Sequence, residues 1–524
     1  MWQEVAQTGP DNRPPLAAPL TRWLRPIDRF YLWIYGARLN PLYQSGTVAL
    51  LCLAVALVTG LYLLFFYRVG APYESVQGLQ GQVFLGRWIR ALHRYSSDIA
   101  LVAILAHAVK MLMSGRTWGT RALAWVSGLV LTATVIFVGI TGLVMVWDTQ
   151  AQLLAVQGVR TLDLLPVLSE PLGRLFSDNS TVPGSFFFMV MFLHVAAPLG
   201  GAFLFWVHVS RVARPTYFPP APLTRLLLGA MLALSVAMPV AYLPEADLRA
   251  IPGRVYVDLF YGFWLPLVAG LGPLGATLAL GALSLALASV PLWWKPRVRP
   301  APSVVDERLC TGCTTCFQDC PYQAISMVPR SEPSKLSELV ARVNPDVCVS
   351  CGICAGSCAP MGVGPALRTG RDQLREIEAI KPSADQVVVL ACRYGPGEVA
   401  QLAQLEGVIV HETGCGGSLH TSVVEHLLRH GAGGVMVLTC PERDCSHREG
   451  PKWLEQRFYH EREAELQARV DRRRVRLAGF SAAQERQIVQ AVEQFRGEVR
   501  ALEAPPEASG SLERECPGAA SATP

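Results

Sequence analysis

The hydrophobic pattern changes twice along the chain. Residues 45–294 are mostly apolar with few charges, and from 300 onward apolar and polar positions mix as in water-exposed sequence. Apolar runs fall at about 45–66, 88–113, 122–147, 185–210, 223–243 and 271–294. Each is long enough to cross a hydrocarbon core of about 30 Å as a helix. An α-helical transmembrane bundle of about six spans is therefore expected, with 255–270 either opening the sixth span or lying at the interface. Residues 20–40 interleave Arg with Trp, Phe and Tyr, the pattern of an amphipathic interfacial helix within an N-terminal segment 1–44. From 387 the period changes again. Short β-branched runs at 387–392, 408–412, 435–440 and 475–480 alternate with helical patterns at 418–430, 451–470 and 482–502. Buried parallel strands between helices predict a small three-layer α/β domain over 384–502. Residues 503–524, rich in Ala, Pro and Ser, read as a disordered tail.

Charge orients the spans. Arg22, Arg25, Arg29 and Arg38 precede the first. Arg116 and Arg121 follow the second, Arg211 and Arg214 the fourth, and Lys295, Arg297 and Arg299 the sixth. With six spans all of these fall on one side, which the excess of cations makes cytoplasmic. The expectation is a multi-pass protein of the inner membrane with both termini cytoplasmic. A net charge of +5 without an aromatic-laced basic patch gives no reason to expect nucleic acid. No cleavable signal peptide is evident in the first 40 residues. Twelve of the 14 cysteines lie between 310 and 445, at spacings typical of metal ligands rather than of a secreted disulfide framework.

Four histidines give the membrane half its chemistry. His93 and His107 are fourteen residues apart in one span, and His194 and His208 fourteen apart in another. Fourteen residues are about 3.9 turns, so each pair shares a helix face with about 21 Å between its members. Two such helices offer two bis-imidazole sites at two depths, the ligand set of two b haems. Gly46 and Gly60, and Gly128 and Gly142, repeat the same spacing on the first and third spans. A glycine there lets a haem edge approach the backbone. Arg90, Arg94 and Lys110 lie close to the histidines in sequence and suit the anionic propionates.

Residues 20–215 resemble the haem-bearing N-terminal part of cytochrome b from bc-type quinol complexes. The resemblance is carried by NPLYQSG (40–46), IRALHRYSSD (89–98), RALAWVSG (121–128), GITGLVMVWD (139–148) and the His194/His208 span. It implies a haem domain over 45–215, with additional spans over 216–295. His93 is expected to pair with His194 at an outer haem, and His107 with His208 at an inner one. A quinone site near each haem and a homodimer are implied as well. Pro244-Glu245 stands where the family carries a Pro-Glu-aromatic motif, which makes Glu245 a candidate acceptor of a quinol proton. No Rieske-type Cys/His motif accompanies it.

After a Pro- and Arg-rich linker come Cys310, Cys313, Cys316 and Cys320, then Cys348, Cys351, Cys354 and Cys358. Both runs read C-x2-C-x2-C-x3-C and resemble bacterial two-cluster ferredoxins, implying an α+β ferredoxin fold over 303–370. By that resemblance Cys310, Cys313, Cys316 and Cys358 hold one 4Fe–4S cluster, and Cys348, Cys351, Cys354 and Cys320 the other. Farther on, Cys392 and Cys440 end predicted strands, while Cys415 and Cys445 lie in the loops beyond. Four cysteines at the carboxyl ends of strands read as a 2Fe–2S site, with zinc as the alternative. The stretch 386–480 resembles the iron–sulfur delta subunit of hydrogenase–heterodisulfide reductase complexes, through TGCGG (413–417) and GAGGVMVLTCPERDCSHREG (431–450). That family opens the domain with C-x2-C, and here Gly395 takes the second place. His447 reads as a surface residue.

The expected function is a quinone-linked oxidoreductase subunit of a respiratory chain. Electrons would pass between a cytoplasmic flavoprotein or heterodisulfide-reductase-like partner and quinone. The 2Fe–2S site comes first in that order, then the two 4Fe–4S clusters, then the inner haem. A conduit to an external protein without quinone chemistry, and a redox-sensing scaffold, are the alternatives.

Overall fold

The computed structural model describes residues 13–164, 171–176, 182–210, 214–250, 255–298, 300–332, 335–460, 462 and 464–502. The expected disordered tail, residues 1–12 and Arg211 lie outside them. Helix α1 (Ala17–Leu39) precedes the bundle. Trp23, Ile27, Phe30 and Ile34 recur at helical spacing and are exposed, the arrangement of an interfacial helix. Its polar side holds the C-terminal domain: Arg25 pairs with Glu398 at 2.6 Å, and Asp28 accepts from Ser481 Oγ at 2.8 Å.

Then follow α2 (Ser45–Leu64), α3 (Pro72–Gly81), α4 (Gly86–Met113), α5 (Ala122–Val144), α6 (Thr149–Leu162), α7 (Gly184–Val209), α8 (Ala221–Ala237) and α9 (Leu265–Trp293). Among the described residues five helices are long and apolar enough to cross a membrane: α2, α4, α5, α7 and α9. The run expected over 223–243 is a shorter apolar helix followed by chain without helix. Pro239 disfavours the α conformation at Met238, so α8 ends at Ala237 after 17 residues, roughly 25 Å. The chain continues without helix to Leu243, whose N–H donates to Asp148 Oδ2 at 3.1 Å. Asp148 also caps α6 by accepting from Gln150 and Ala151. Together α8 and this segment lead the chain from the end of the bundle where α7 finishes to the end where α6 begins. The ambiguous stretch resolves into turns up to Trp264, then a first helical piece from Leu265 that packs on α6. Gly272, at φ +71°, kinks α9 before it runs on to Trp293. Trp294 Nε1 donates to Leu112 O at 2.9 Å, which brings the end of α9 level with the end of α4.

The ferredoxin-like segment is two antiparallel pairs. β1 (Ser303–Val305) joins β4 (Val363–Pro365), and β2 (Ile325–Pro329) joins β3 (Leu339–Val343), with short helices α10 (Thr315–Asp319) and α11 (Ile353–Gly356) between. The last domain is a parallel sheet of β5 (Val387–Cys392), β6 (Val408–Thr413), β7 (Gly434–Thr439) and β8 (Val475–Gly479), in the order β6-β5-β7-β8. Alternate residues of the central strands face opposite cores. Val388, Leu390, Val435 and Val437 pack under α12 (Gly370–Ile377), α13 (Thr421–Arg429) and α14 (Gly450–Tyr459). Val387, Val389, Met436 and Leu438 pack against α15 (Glu485–Arg500). These are the three expected layers; α14 is shorter than the pattern at 451–470 suggested.

A buried ionic knot joins the two soluble units. Arg457 and Asp319 are both fully buried and 3.9 Å apart, and Arg457 donates to Ser357 Oγ and to Gly417 O. Arg462 pairs with the other oxygen of Asp319.

Candidate functional site

Helix α2 backs α4, and α5 backs α7, as two close pairs. Between the pairs runs a cavity of about 1720 Å³ lined by all four histidines and all four repeated glycines. A common ligand pocket measures roughly 300–1,000 Å³, so this one has room for two sizeable groups.

Each histidine has the same surroundings. A Cβ added at Gly60 would lie 3.1 Å from His93 Cε1, at Gly46 3.3 Å from His107, at Gly128 3.1 Å from His208 and at Gly142 2.8 Å from His194. The glycines thus face imidazole rings, and the close approach inferred for a haem edge is made here by the histidines themselves. The residue before every glycine is a hydroxyl: Thr59, Ser45, Ser127 and Thr141. Each meets Nδ1 of the same histidine, at 3.1, 3.3, 3.2 and 3.1 Å for His93, His107, His208 and His194. These hydroxyls donate their own protons to backbone carbonyls three or four residues earlier, as Thr59 does to Val55 O at 2.7 Å, Ser127 to Leu123 O at 2.7 Å and Ser45 to Leu42 O at 3.0 Å. The oxygen that faces the ring must therefore accept, and Nδ1 must carry the hydrogen. Carbonyls add to this at two sites: His93 Nδ1 donates to Ala56 O and His194 Nδ1 to Val138 O, both at 2.9 Å. The tautomer leaves Nε2 unprotonated, the form that binds a metal. His93 and His194 face each other with ring centroids 6.3 Å apart. The hydroxyl–glycine dipeptide repeated at fourteen residues on two helices was a legible signal that the glycine spacing alone did not exhaust.

The cations near the histidines have protein partners. Arg90 donates to Gln80 Oε1 and Val240 O, and Arg94 pairs with Asp98 and Asp258. Lys110 Nζ lies 2.9 Å from Asp444 Oδ1. At the His93 end Tyr261 OH and Ser97 Oγ are 2.5 Å apart, and Gly139 admits the Tyr261 ring. Asp98, Asp258 and Tyr261 all line the cavity. Glu245 lies elsewhere. It is exposed, bridged through its backbone to Asp148, and absent from the described cavity lining.

In the ferredoxin-like segment one small cavity is lined by Cys310, Cys313, Cys316 and Cys358, and a second by Cys320, Cys348, Cys351 and Cys354. Chain crossing brings the fourth cysteine of each run to the other's site. Backbone N–H groups point at the sulfurs: Ala324 to Cys320 at 3.3 Å, Gly362 to Cys358 at 3.3 Å, Ser303 to Cys348 at 3.4 Å. In the last domain Cys392 Sγ and Cys440 Sγ are 3.6 Å apart, and Cys415 and Cys445 are buried beside them. A Cβ at Gly395 would lie 3.4 Å from Cys440 Sγ, so the place of the resembled family's second cysteine adjoins the same site. Burial pushes the Cys354 thiol up to about 12 and Cys445 up to about 11. Thiolates at such depth need a cation, and N–H donors with converging sulfurs fit an iron–sulfur group. His447 is not a surface residue. It is 6 % exposed and stands edge-on to Tyr394, and burial pushes its pKa down to about 3, so the ring is neutral.

Three family models match the chain. Residues 33–214 match cytochrome b/b6/petB, residues 309–362 the 4Fe-4S dicluster domain, and residues 387–503 the delta subunit of methyl-viologen-reducing hydrogenase. A solved structure titled "Hyperthermophilic respiratory Complex III" is 15 % identical with a TM-score of 0.39, over 48 % of this chain and 75 % of that one. The family matches and the apolar helices together describe an integral membrane component of electron transfer.

Proposed function

We propose that this membrane electron-transfer component links a soluble redox partner to the quinone pool. His93 with His194, and His107 with His208, would hold two b haems, and the twelve cysteines two 4Fe–4S clusters and one 2Fe–2S cluster. When bound, these groups supply one-electron carriers from the aqueous half into the bilayer. The protein's own work is to hold Nε2 of each histidine unprotonated, to keep the sulfurs buried under N–H donors, and to set the two halves edge to edge. The observation that carries the reading is the fourfold hydroxyl–glycine–histidine arrangement around one cavity.

The soluble half sits on the cytoplasmic side, where a flavoprotein or heterodisulfide-reductase-like partner would dock on it. The chain acts as a homodimer in the bilayer. Quinone reacts in the cavity beyond the histidine pairs. Asp98 and Asp258, two of the carboxylates lining the cavity, would take the quinol proton at the His93 end, Glu245 being outside the lining. An electron crossing between the two pairs would sense the membrane potential, at about 2.3 kcal/mol per charge per 100 mV for the whole thickness. The position of Glu245 favours one second reading, a conduit to an external protein without quinone chemistry.

A short-chain quinol added to the oxidised protein separates the two. The expected result is reduction of the b haems that a quinone-site inhibitor blocks. Haems inert to quinol would contradict the quinone link.

A further inference from the structure

The sequence suggests that the 2Fe–2S site receives electrons first and that the ferredoxin clusters deliver them to the membrane. The contacts between the halves point to another order. Lys110 lies one helical turn beyond His107, and its Nζ is 2.9 Å from Asp444 Oδ1. Arg116 donates to Asp444 O at 2.9 Å. The next residue, Cys445, lines the same cavity as His107 and His208. None of the eight ferredoxin cysteines does so among the described lining residues. Tyr322 borders both that cavity and the cavity of Cys320, Cys348, Cys351 and Cys354. Arg121 ties the two contacts together, donating to Tyr322 OH at 2.5 Å and to Ser446 O at 2.8 Å. The far set, Cys310, Cys313, Cys316 and Cys358, has a cavity that shares no lining residue with the membrane cavity. Between the extremes Ser418, three residues after Cys415, packs on Gly352, the neighbour of Cys351.

We infer that the Asp444–Cys445 turn is the contact through which the soluble half exchanges electrons with the inner histidine pair. The four-cysteine site then stands between the ferredoxin clusters and the membrane. Tunnelling falls steeply with distance, so a site whose own ligand borders the haem cavity outruns one separated from it by a tyrosine. The order becomes far ferredoxin set, near ferredoxin set, four-cysteine site, inner histidine pair. With an iron–sulfur group held by Cys392, Cys415, Cys440 and Cys445 and a haem held by His107 and His208, the junction would pass one electron from the first to the second, with no bond made or broken and no proton moved. The reductant is the flavoprotein of the proposed function, on which this inference rests. The far ferredoxin set becomes the port farthest from the membrane.

The test uses the full-length protein carrying Cys440→Ser and Cys445→Ser, with its two 4Fe–4S clusters verified by EPR. A flash of photoreduced deazaflavin supplies electrons, and the 4Fe–4S and haem absorbances are followed together. The ferredoxin clusters should reduce as in the wild type while inner-haem reduction slows more than tenfold. Equal haem rates would overturn the inference alone. Wild-type haems that never reduce from the soluble side would remove the proposed function and the inference with it. Asp444→Asn supplies a second readout should the double variant fail to fold. It should shift the EPR spectrum and midpoint potential of the C-terminal cluster and of the inner haem, and leave the outer haem unchanged. No shift at either would count against the junction.

Discussion

The membrane half and the soluble half hold their candidate cofactors in opposite ways. In the bundle, four ligands on two helices stand around one open cavity of about 1720 Å³. In the ferredoxin-like segment, eight cysteines close around two cavities of about 20 Å³ each. The α/β domain beside it has apolar cores of its own on both faces of the sheet. The bundle has a large cavity between its helix pairs, so the groups it would hold would also serve as packing. Regular spacing on rigid helices suffices to place an imidazole, because the helix supplies the geometry. A cubane site needs ligands from distant segments, and only the tertiary fold supplies those.

The largest expected effect breaks the bundle and spares the rest. His107→Ala or His208→Ala should halve haem content by pyridine haemochromogen assay and leave the iron–sulfur EPR signals intact. Retention of both haems would mean that these two residues do not hold one. The reverse break is Arg457→Met. Leaving a buried charge wholly unpaired costs about 3–5 kcal/mol, and Asp319 keeps Arg462, so the loss should fall below that. Differential scanning should show the soluble half melting earlier, with the haem spectrum unchanged.

A finer comparison lies within the bundle. The space at the four glycines differs, from 2.8 Å at Gly142 to 3.3 Å at Gly46. Overpacking costs about 1–3 kcal/mol, so Gly142→Ala should loosen haem binding more than Gly46→Ala does. Haem retention during detergent titration ranks them, and equal retention would mean the rings move freely. The smallest effect belongs to the contact between the halves. Arg214 pairs with Glu449 at 2.6 Å but is 41 % exposed, so Arg214→Ala should cost less than about 1 kcal/mol. Its melting curve should nearly overlay that of the wild type.

How much of this was legible before folding follows the same divide. The histidines, the glycines and the strands of the last domain could be read because they obey short periods, 3.6 in a helix and a buried run in a strand. The hydroxyls Ser45, Thr59, Ser127 and Thr141 were in plain view, yet their role depends on which helix backs which. The apolar run at 223–243 was legible, but hydropathy does not register the backbone limit that Pro239 sets on Met238, so only its first part is helix. Glu245 stands beside a proline as the motif requires, but it is exposed and is not among the described lining residues of the cavity. His447 is polar and precedes Arg448 and Glu449, and nothing local announces that its ring is buried edge-on to Tyr394. The Lys110–Asp444 contact spans more than three hundred residues, and nothing local announces it.

The most direct measurement is quinone reduction in proteoliposomes, with the electron donor confined to the aqueous side of the cysteine-bearing half. The expected result is that the quinone pool is reduced while the b haems pass through transient reduction, and that His107→Ala abolishes both. Haems that become fully reduced while the quinone pool stays oxidised would contradict the proposed link.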